Sequence, residues 1–344
     1  MTDSELSKFI ISGSIDANSL VDDVQDEAET TAEVELRHVS VPVESHGSRL
    51  DKALAGLVPE FSRSYLQQLI EAGGVLVKGL KTLKTSAKVK AGDELRIELR
   101  PTPQSQAFKP EAMALDIVYE DSHLMVINKP AGLVVHPAPG NWSSTLLNGL
   151  LAHDPQAAFM PRAGIVHRLD KDTSGLMVVA RQRQAMDQLV NMIAARSVSR
   201  EYIALAHGAW NGPKTRQVEA PIGRDPRNRL RMAVVDLEKN SGKTASTVIS
   251  LLDNSEKYCL VKCKLHTGRT HQIRVHMAFL SHPLVSDEVY GGAAVGSLKR
   301  QALHACRLAF MHPVTGIPME FKSPPPPDLQ TVMGDFGLSY NQAR

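Results

Sequence analysis

The chain has 344 residues, of which 42% are hydrophobic, and this apolar content is sufficient for one large or two smaller globular cores. It contains no apolar run of roughly 18 residues, so we expect no membrane span, and its beginning lacks the basic start and apolar core of a secretory signal. The three cysteines, a small and odd number, are typical of free thiols in a reducing cytosol, so we expect a cytoplasmic protein.

The net charge of +2 conceals an asymmetry along the chain. Residues 1–37 contain ten acidic and two basic residues, a balance of −8, so the remainder carries +10. A basic body is compatible with binding to a polyanion, although such a charge is also ordinary for a soluble basic protein. Residues 1–38 are acidic, contain one aromatic residue and show no steady period, which predicts a disordered acidic tail.

Residues 39–100 are predicted to form a compact α+β unit. Ser48 is a candidate N-cap of a first helix, and Ser62 or Ser64 of a second, which ends at Gly73-Gly74. Short strands are predicted at Val75–Gly79 and at Glu94–Leu99. Basic residues accompany these elements and favour an RNA-binding surface over a charged helical hairpin without a ligand: Arg49, Arg63, Lys78, Lys81, Lys84, Lys88 and Lys90.

A polar, proline-containing segment at 101–112 is predicted to be a linker, and a large domain at 113–344 follows it. The predicted elements of this domain begin with a strand pair around a short turn. They are strands at 115–119 and 124–128, a helix at 145–153, a buried strand at 176–180, an amphipathic helix at 184–195, and strands at 200–205, up to 252 and at 259–265. The four-residue spacing of Cys259 and Cys263 on the last strand indicates buried thiols on one face.

A polar block at 171–175 lies between two apolar segments and is predicted to be a loop at the edge of a core. Asp170 stands at its start, flanked by Arg168 and Lys171. A carboxylate near cations is held ionised and can act as a nucleophile or a base at neutral pH. An aspartate in a polar turn can equally serve only its own backbone.

Two further stretches have binding potential. One carries four arginines in eight positions and is a candidate phosphate-contacting loop or a solvated loop: Arg224, Arg227, Arg229 and Arg231. The other contains His266, His271 and His276, which raises the alternative of a metal-dependent hydrolase. That alternative lacks a nearby carboxylate ligand and the HExxH pattern, so no metal is expected.

Several separated motifs resemble those of the RluA-type RNA pseudouridine synthases, in the branch that modifies large-subunit ribosomal RNA. They are HRLDKDTSGLMVVA at 167–180, NKPAGLVVHP at 128–137, TGRTHQIRVH at 267–276, DEVYGG at 287–292 and QALHA at 301–305. The unit at 39–100 resembles the S4 RNA-binding domain, so the likeness covers about 290 residues. Ser174, where Thr is usual, and a short loop at 293–299 depart from the family pattern.

This resemblance implies an S4-like domain followed by a mixed, mostly antiparallel β-sheet domain with a basic cleft. It implies isomerisation of uridine in 23S ribosomal RNA or a pre-50S particle, in the helix 69 stem-loop, by a monomer without a cofactor. Asp170 would be catalytic and Arg274 its partner. Tyr202 would stack on the target base, and Leu303 would pack beneath it. Arg168 would fill the place of the flipped base, and Arg269 would be a cation that faces the RNA. A non-catalytic ribosome-assembly factor that binds RNA remains an alternative.

Overall fold

The computed structural model describes residues 35–59, 61, 63–99, 107–138, 140–228 and 230–340. These residues divide into two compact units, a small one up to Phe108 and a large one from Lys109. Within them, no helix is long and apolar enough to cross a membrane.

The small unit is a four-stranded antiparallel sheet, in the order β1–β4–β2–β3, with two helices. Its elements are β1 (Glu35–Ser40), α1 (Leu50–Leu57), α2 (Arg63–Glu71), β2 (Val75–Val77), β3 (Leu80–Lys81) and β4 (Glu94–Leu99). Apolar residues at helical spacing, among them Leu50, Leu54, Leu66 and Ile70, pack on the sheet and form one buried cluster. The predicted helices and strands of this unit are confirmed.

Three local predictions for the small unit need correction. The predicted tail extends to residue 38, but β1 begins at Glu35 and pairs along its length with β4; residues 1–34 lie outside the described part of the chain. Ser48 is not the N-cap of α1, because Arg49 occupies that position and the Ser48 hydroxyl donates to Ser45 O at 2.7 Å. Ser64 lies inside α2, and Ser62 is outside the described residues.

The predicted linker at 101–112 is also too long. Residues 109–112 belong to the large unit, where Glu111 N–H donates to Asn148 O at 3.0 Å and the Glu111 carboxylate accepts from Ser144 N–H at 2.8 Å. The polar, proline-containing composition gives no sign of these contacts, because their partners lie more than thirty residues further along the chain. Residues 100–106 are outside the described part of the chain.

The large unit is built around a nine-stranded mixed sheet with a smaller three-stranded sheet. Its strands are β5 (Ile117–Glu120), β6 (Leu124–Lys129), β7 (Ser174–Ala180), β8 (Ser199–His207), β9 (Thr215–Glu219), β10 (Ile222–Arg224), β11 (Met232–Val234), β12 (Gly242–Lys243), β13 (Ser246–Asn254), β14 (Tyr258–Leu265), β15 (Leu303–Met311) and β16 (Pro318–Lys322). Its helices are α3 (Leu146–His153), α4 (Arg183–Ala194), α5 (Gln272–Phe279) and α6 (Pro327–Asp335).

The strand order of the large sheet is β5–β6–β7–β15–β8–β14–β13–β9, with β16 also paired to β15. Strand β15 therefore lies between β7 and β8, and its pairing with β7 is parallel whereas the other pairings are antiparallel. Gly175 makes the parallel contact possible: it has φ +117°, and a Cβ there would lie 2.3 Å from Ala305 O. The predicted mixed, mostly antiparallel sheet is confirmed.

The two faces of the sheet belong to different clusters, as the alternation of side chains along a strand requires. On β8, Tyr202, Ala204 and Ala206 pack in one cluster, whereas Ile203 and Leu205 pack on the other side with α6. Cys259 and Cys263 share the face of Tyr202 and are buried free thiols, as predicted. Cys306, the third cysteine of the chain, is also a buried free thiol. The Tyr202 face carries the cavity described next.

Candidate active site

A cavity of about 370 Å³ opens on this face of the large sheet. It is walled by the segment from Val166 to Asp170, the start of β8, the loop from Leu265 to His271 and the first turn of α5. The residues predicted for the catalytic domain all line it: Asp170, Arg274, Tyr202, Arg168, Arg269 and Leu303. The lining contains five arginines and a single carboxylate, so the cavity is strongly basic.

Asp170 lies four residues before the first residue of β7, in a turn closed by the hydrogen bond from Thr173 N–H to Asp170 O. The segment that contains it is held from below by Lys129, whose ammonium group donates 2.8 Å bonds to Pro130 O, Leu133 O and Lys171 O. Lys129 is 1% exposed, and burial lowers its pKa to about 7. The motif NKP thus supplies a buried lysine whose hydrogen bonds fix the backbone next to Asp170.

The electrostatic environment of Asp170 comes mainly from α5 and the residue before it. Arg274 Nη1 lies 3.3 Å and His271 Nε2 lies 3.9 Å from Asp170 Oδ2, and the Asp170 side chain is 18% exposed. Burial acts to raise the pKa of Asp170, but the charges of His271, Arg274 and Arg168 outweigh it, so the pKa is lowered. Asp170 is therefore ionised at neutral pH, and Arg168 is the flanking cation among the main causes.

Arg274 bridges two carboxylates. Its Nε and Nη2 donate to the two oxygens of Asp287 at 2.8 and 2.9 Å, while Nη1 donates to Asp170. The Tyr290 ring lies 5.0 Å from its guanidinium carbon. Asp287 is 2% exposed, so this two-point contact fixes the guanidinium plane and the direction of Nη1. Burial opposes the charge of Arg274, but the two carboxylates raise its pKa overall.

Asp287 was not assigned a role from the sequence. The motif DEVYGG was identified, but nothing in it states which distant cation its carboxylate meets. The hydroxyl of Tyr290, in the same motif, accepts a hydrogen bond from Met232 N–H at 3.1 Å and is hydrogen-bonded to His271 Nδ1 at 2.8 Å. The Tyr290 hydroxyl therefore holds the His271 ring with Nε2 facing Asp170.

Tyr202 and Leu303 come from adjacent strands. In the register of β8 with β15, Leu303 is opposite Ala204 and Ala305 is opposite Tyr202. Tyr202 is 5% exposed and Leu303 4%, so both present packed apolar surface to the cavity that holds Asp170. Burial raises the pKa of the Tyr202 phenol, which stays neutral.

Arg168 and Arg269 differ in how they are held. Arg168 is exposed at the cavity. Arg269 is half-buried, with its Nε donating to Thr244 O at 3.1 Å and its backbone N–H to Gln272 Oε1 at 3.0 Å. The arginine-rich stretch is outside the cavity lining: Arg231 pairs with Asp225 at 2.7 Å, and Arg229 lies outside the described residues.

The residues predicted to bind RNA in the small unit fall into two groups. Arg49 and Arg63 both pair with the fully buried Asp51, at 3.0 and 2.8 Å, and Lys78 pairs with Asp93 at 2.7 Å. Lys81 and Lys84 are exposed and have no ion pair among the described residues. The first group ties elements of the unit together, and the second group is available to a ligand.

The histidine alternative does not fit the geometry. His276 is buried, and both ring nitrogens are engaged, Nδ1 with the Thr247 hydroxyl at 2.9 Å and Nε2 with Ala220 O at 3.0 Å. His266 and His271 line the cavity without it. In the described part of the chain, no group of three or more His, Cys, Asp or Glu side chains could hold a metal ion.

Comparison with known proteins identifies the class. Residues 123–279 match the family model described as RNA pseudouridylate synthase, and residues 48–95 match the S4 domain. The fold and site therefore define an RNA pseudouridine synthase with an S4 domain. The solved structure of human RNA pseudouridylate synthase domain containing 1 is similar, with a TM-score of 0.52 and 27% identity over 64% of this chain and 89% of that one.

The chain belongs to the RNA pseudouridylate synthase family, as its curated relatives show. It is 49% identical to the ribosomal large subunit pseudouridine synthase D of Neisseria meningitidis serogroup A, over 87% of this chain and 82% of the relative. The protein of that name from Xanthomonas campestris is 44% identical, over 90% and 95%, and that from Escherichia coli O6:H1 is 45% identical, over 82% and 89%. The chain is an isomerase of this class.

Proposed function

We propose that this protein converts uridine to pseudouridine in large-subunit ribosomal RNA, with Asp170 as the catalytic carboxylate. The names of its relatives support this substrate class. The observation that carries the assignment to Asp170 is its place as the single carboxylate of an arginine-lined cavity, ionised and aimed by Arg274. The proposed target is a uridine in the helix 69 stem-loop of 23S ribosomal RNA. The protein is proposed to act as a monomer in the cytoplasm.

The reaction breaks the N1–C1′ bond, turns the uracil and forms a C5–C1′ bond; C5 loses its proton and N1 gains one. The uridine must leave its stack to reach the cavity floor, as other base-modifying enzymes require. Asp170 attacks the sugar or takes a proton from it, and both routes begin with an ionised carboxylate. Tyr202 stacks on the uracil, Leu303 packs beneath it, and Arg168 fills the place that the base leaves.

The test is pseudouridine mapping in 23S ribosomal RNA treated with the wild-type protein, Asp170→Asn or Asp172→Asn. Asn is nearly isosteric with Asp but cannot act as a nucleophile or a base, so Asp170→Asn should bind RNA and yield no pseudouridine. Asp172 lies two residues away outside the cavity lining, so Asp172→Asn is the matched control and should retain activity. Near-wild-type turnover by Asp170→Asn would remove Asp170 from the mechanism.

The same mapping tests the substrate and the rival function. New pseudouridine confined to the helix 69 loop would support the proposed target. Modification elsewhere in 23S RNA would show that the target is a different uridine. A ribosome-assembly factor without catalysis would produce no pseudouridine and would tolerate Asp170→Asn in every assay.

A further inference from the structure

Arg200 is a buried arginine whose side chain has no hydrogen-bond or ion-pair partner among the described residues. It lies on β8 two residues before Tyr202, lines the same cavity and is 7% exposed. Its Nε has no hydrogen-bond partner, and within the described residues its guanidinium forms no ion pair. Charges are rarely buried unless they are paired, because burial removes their hydration. The single carboxylate of the cavity lining, Asp170, is already bonded to Arg274.

Two neighbours shape the wall around Arg200. A Cβ at Gly268 would lie 2.9 Å from Arg200 Nη1, so glycine leaves room for the guanidinium against the loop backbone. His167 Nε2 accepts Val178 N–H at 3.1 Å, while its Nδ1 is buried and has no partner in the described part of the chain. Burial, and then the charge of Arg200, lower the pKa of His167 to about 3. The neutral ring therefore carries its proton on Nδ1, a second N–H in this wall without an acceptor.

We propose that Arg200 binds a backbone phosphate that flanks the target uridine. The inference rests on the proposed function, in which the uracil stacks on Tyr202. Two steps along a strand separate Arg200 from Tyr202 by about 6.6 Å on the same face, so a base at one residue places its nucleotide backbone near the other. Uracil is neutral and cannot compensate the buried charge, whereas a phosphodiester can, and its two oxygens match the guanidinium fork.

The experiment uses the full chain and a uridine-containing stem-loop RNA, with Arg200→Met and Arg200→Lys. Arg200→Met should weaken RNA binding about 10- to 100-fold and make the salt dependence of binding shallower by about one unit. Arg200→Lys should recover the salt dependence and part of the affinity, because it keeps the charge without the fork. The melting temperature of RNA-free Arg200→Met should equal or exceed that of the wild type, since no internal partner is lost.

A second arm locates the phosphate. Each of the two linkages that flank the target uridine is replaced in turn by a neutral methylphosphonate. At one of the two linkages, the methylphosphonate should weaken the binding of the RNA to the wild-type protein. The same modified RNA should bind Arg200→Met as well as the unmodified RNA does. Affinity and salt dependence unchanged in Arg200→Met, or a wild type insensitive to both replacements, would overturn the proposal. A lower melting temperature with unchanged binding would assign Arg200 a structural role instead.

The wild-type protein on the unmodified RNA is the check on the proposed function. If it makes no pseudouridine but the binding results above are obtained, the catalytic proposal fails while the phosphate site stands. If the wild type makes pseudouridine and Arg200→Met binds RNA normally, the catalytic proposal stands and the phosphate site is overturned.

Discussion

At the scale of single residues, Asp170 is held in position by one arginine that bonds two carboxylates. Arg274 donates two hydrogen bonds to Asp287 and a third hydrogen bond to Asp170. A positioned guanidinium stabilises the ionised carboxylate and fixes its direction, and small displacements of such a group reduce rates strongly. Removing Arg274 altogether would leave Asp287 buried and unpaired, which typically costs about 3–5 kcal/mol, so a substitution that keeps the charge is the informative one.

We expect Arg274→Lys to lower the single-turnover rate about 10- to 100-fold while RNA affinity holds, because an ammonium cannot keep both contacts. The pKa of Asp170 should rise with the weaker contact. Since the proposed mechanism starts from the ionised carboxylate, the acid limb of the rate profile should then move to higher pH. Single-turnover rates against pH, with binding against salt, measure both effects.

Arg269→Lys is the matched control, because Arg269 lines the same cavity without touching Asp170. It should change binding and leave the acid limb in place. If Arg274→Lys kept the saturating rate and showed a shallower salt slope, Arg274 would belong to the RNA-binding surface.

At the scale of elements, the two helices of the S4 domain are clamped by one buried carboxylate. Asp51 on α1 accepts from Arg49 and from Arg63 and Gln67 of α2. Hydrogen bonding to Arg49 is the largest cause that lowers the pKa of Asp51, against the opposing effect of burial. The folded pKa is below the unfolded one, so this stabilisation is present above about pH 4 and is lost as the pH falls below that value.

We expect Asp51→Asn to destabilise the S4 domain by about 2 kcal/mol, less than for a fully buried pair because both guanidiniums are about half exposed. Hydrogen exchange of the full chain should show faster exchange in α1 and α2 and unchanged exchange in the large sheet. Glu71→Gln, at the exposed end of α2, is the control and should have no effect. Equal protection in Asp51→Asn and the wild type would contradict the clamp.

Elements with a local signal were predictable from the sequence, and contacts between distant segments were not. Two short, largely apolar segments around a polar turn predicted the β5–β6 pair, and the helical period predicted α4. Arg200 and Asp287 escaped prediction because their roles depend on what lies opposite them in the fold. The family motifs predicted that Asp170, Arg274 and Tyr202 lie in one cavity. The local sequence did not indicate that Arg274 lies on helix α5, or that His271, the residue before this helix, has φ +54°.

At the scale of the whole molecule, the exposed lysines of the S4 domain should govern affinity and not chemistry. We expect Lys81→Gln combined with Lys84→Gln to weaken RNA binding and reduce the salt slope by about two units, with an unchanged saturating rate. Deleting residues 1–34, which ends before β1, should leave both properties intact. Binding against salt and single-turnover rates measure these outcomes.

Lys214→Gln combined with Lys257→Gln removes the same charge from exposed positions of the large unit outside the cavity lining. A similar loss of affinity in this control would show that net charge, not the S4 surface, determines binding. An unchanged salt slope in the Lys81 and Lys84 variant would remove those lysines from the RNA contact.

The insertion of β15 between β7 and β8 has a consequence for biosynthesis. A ribosome makes β5, β6 and β7 first and β8 to β14 later, and each group can pair within itself as it emerges. The strand that joins the two groups is made after both of them, and Asp170 lies just before β7 in the first group whereas Tyr202 belongs to the second. The S4 domain is therefore synthesised before the cavity can assemble, and we expect a chain without β15 to lack the cavity even though every residue of the Asp170 motif is present.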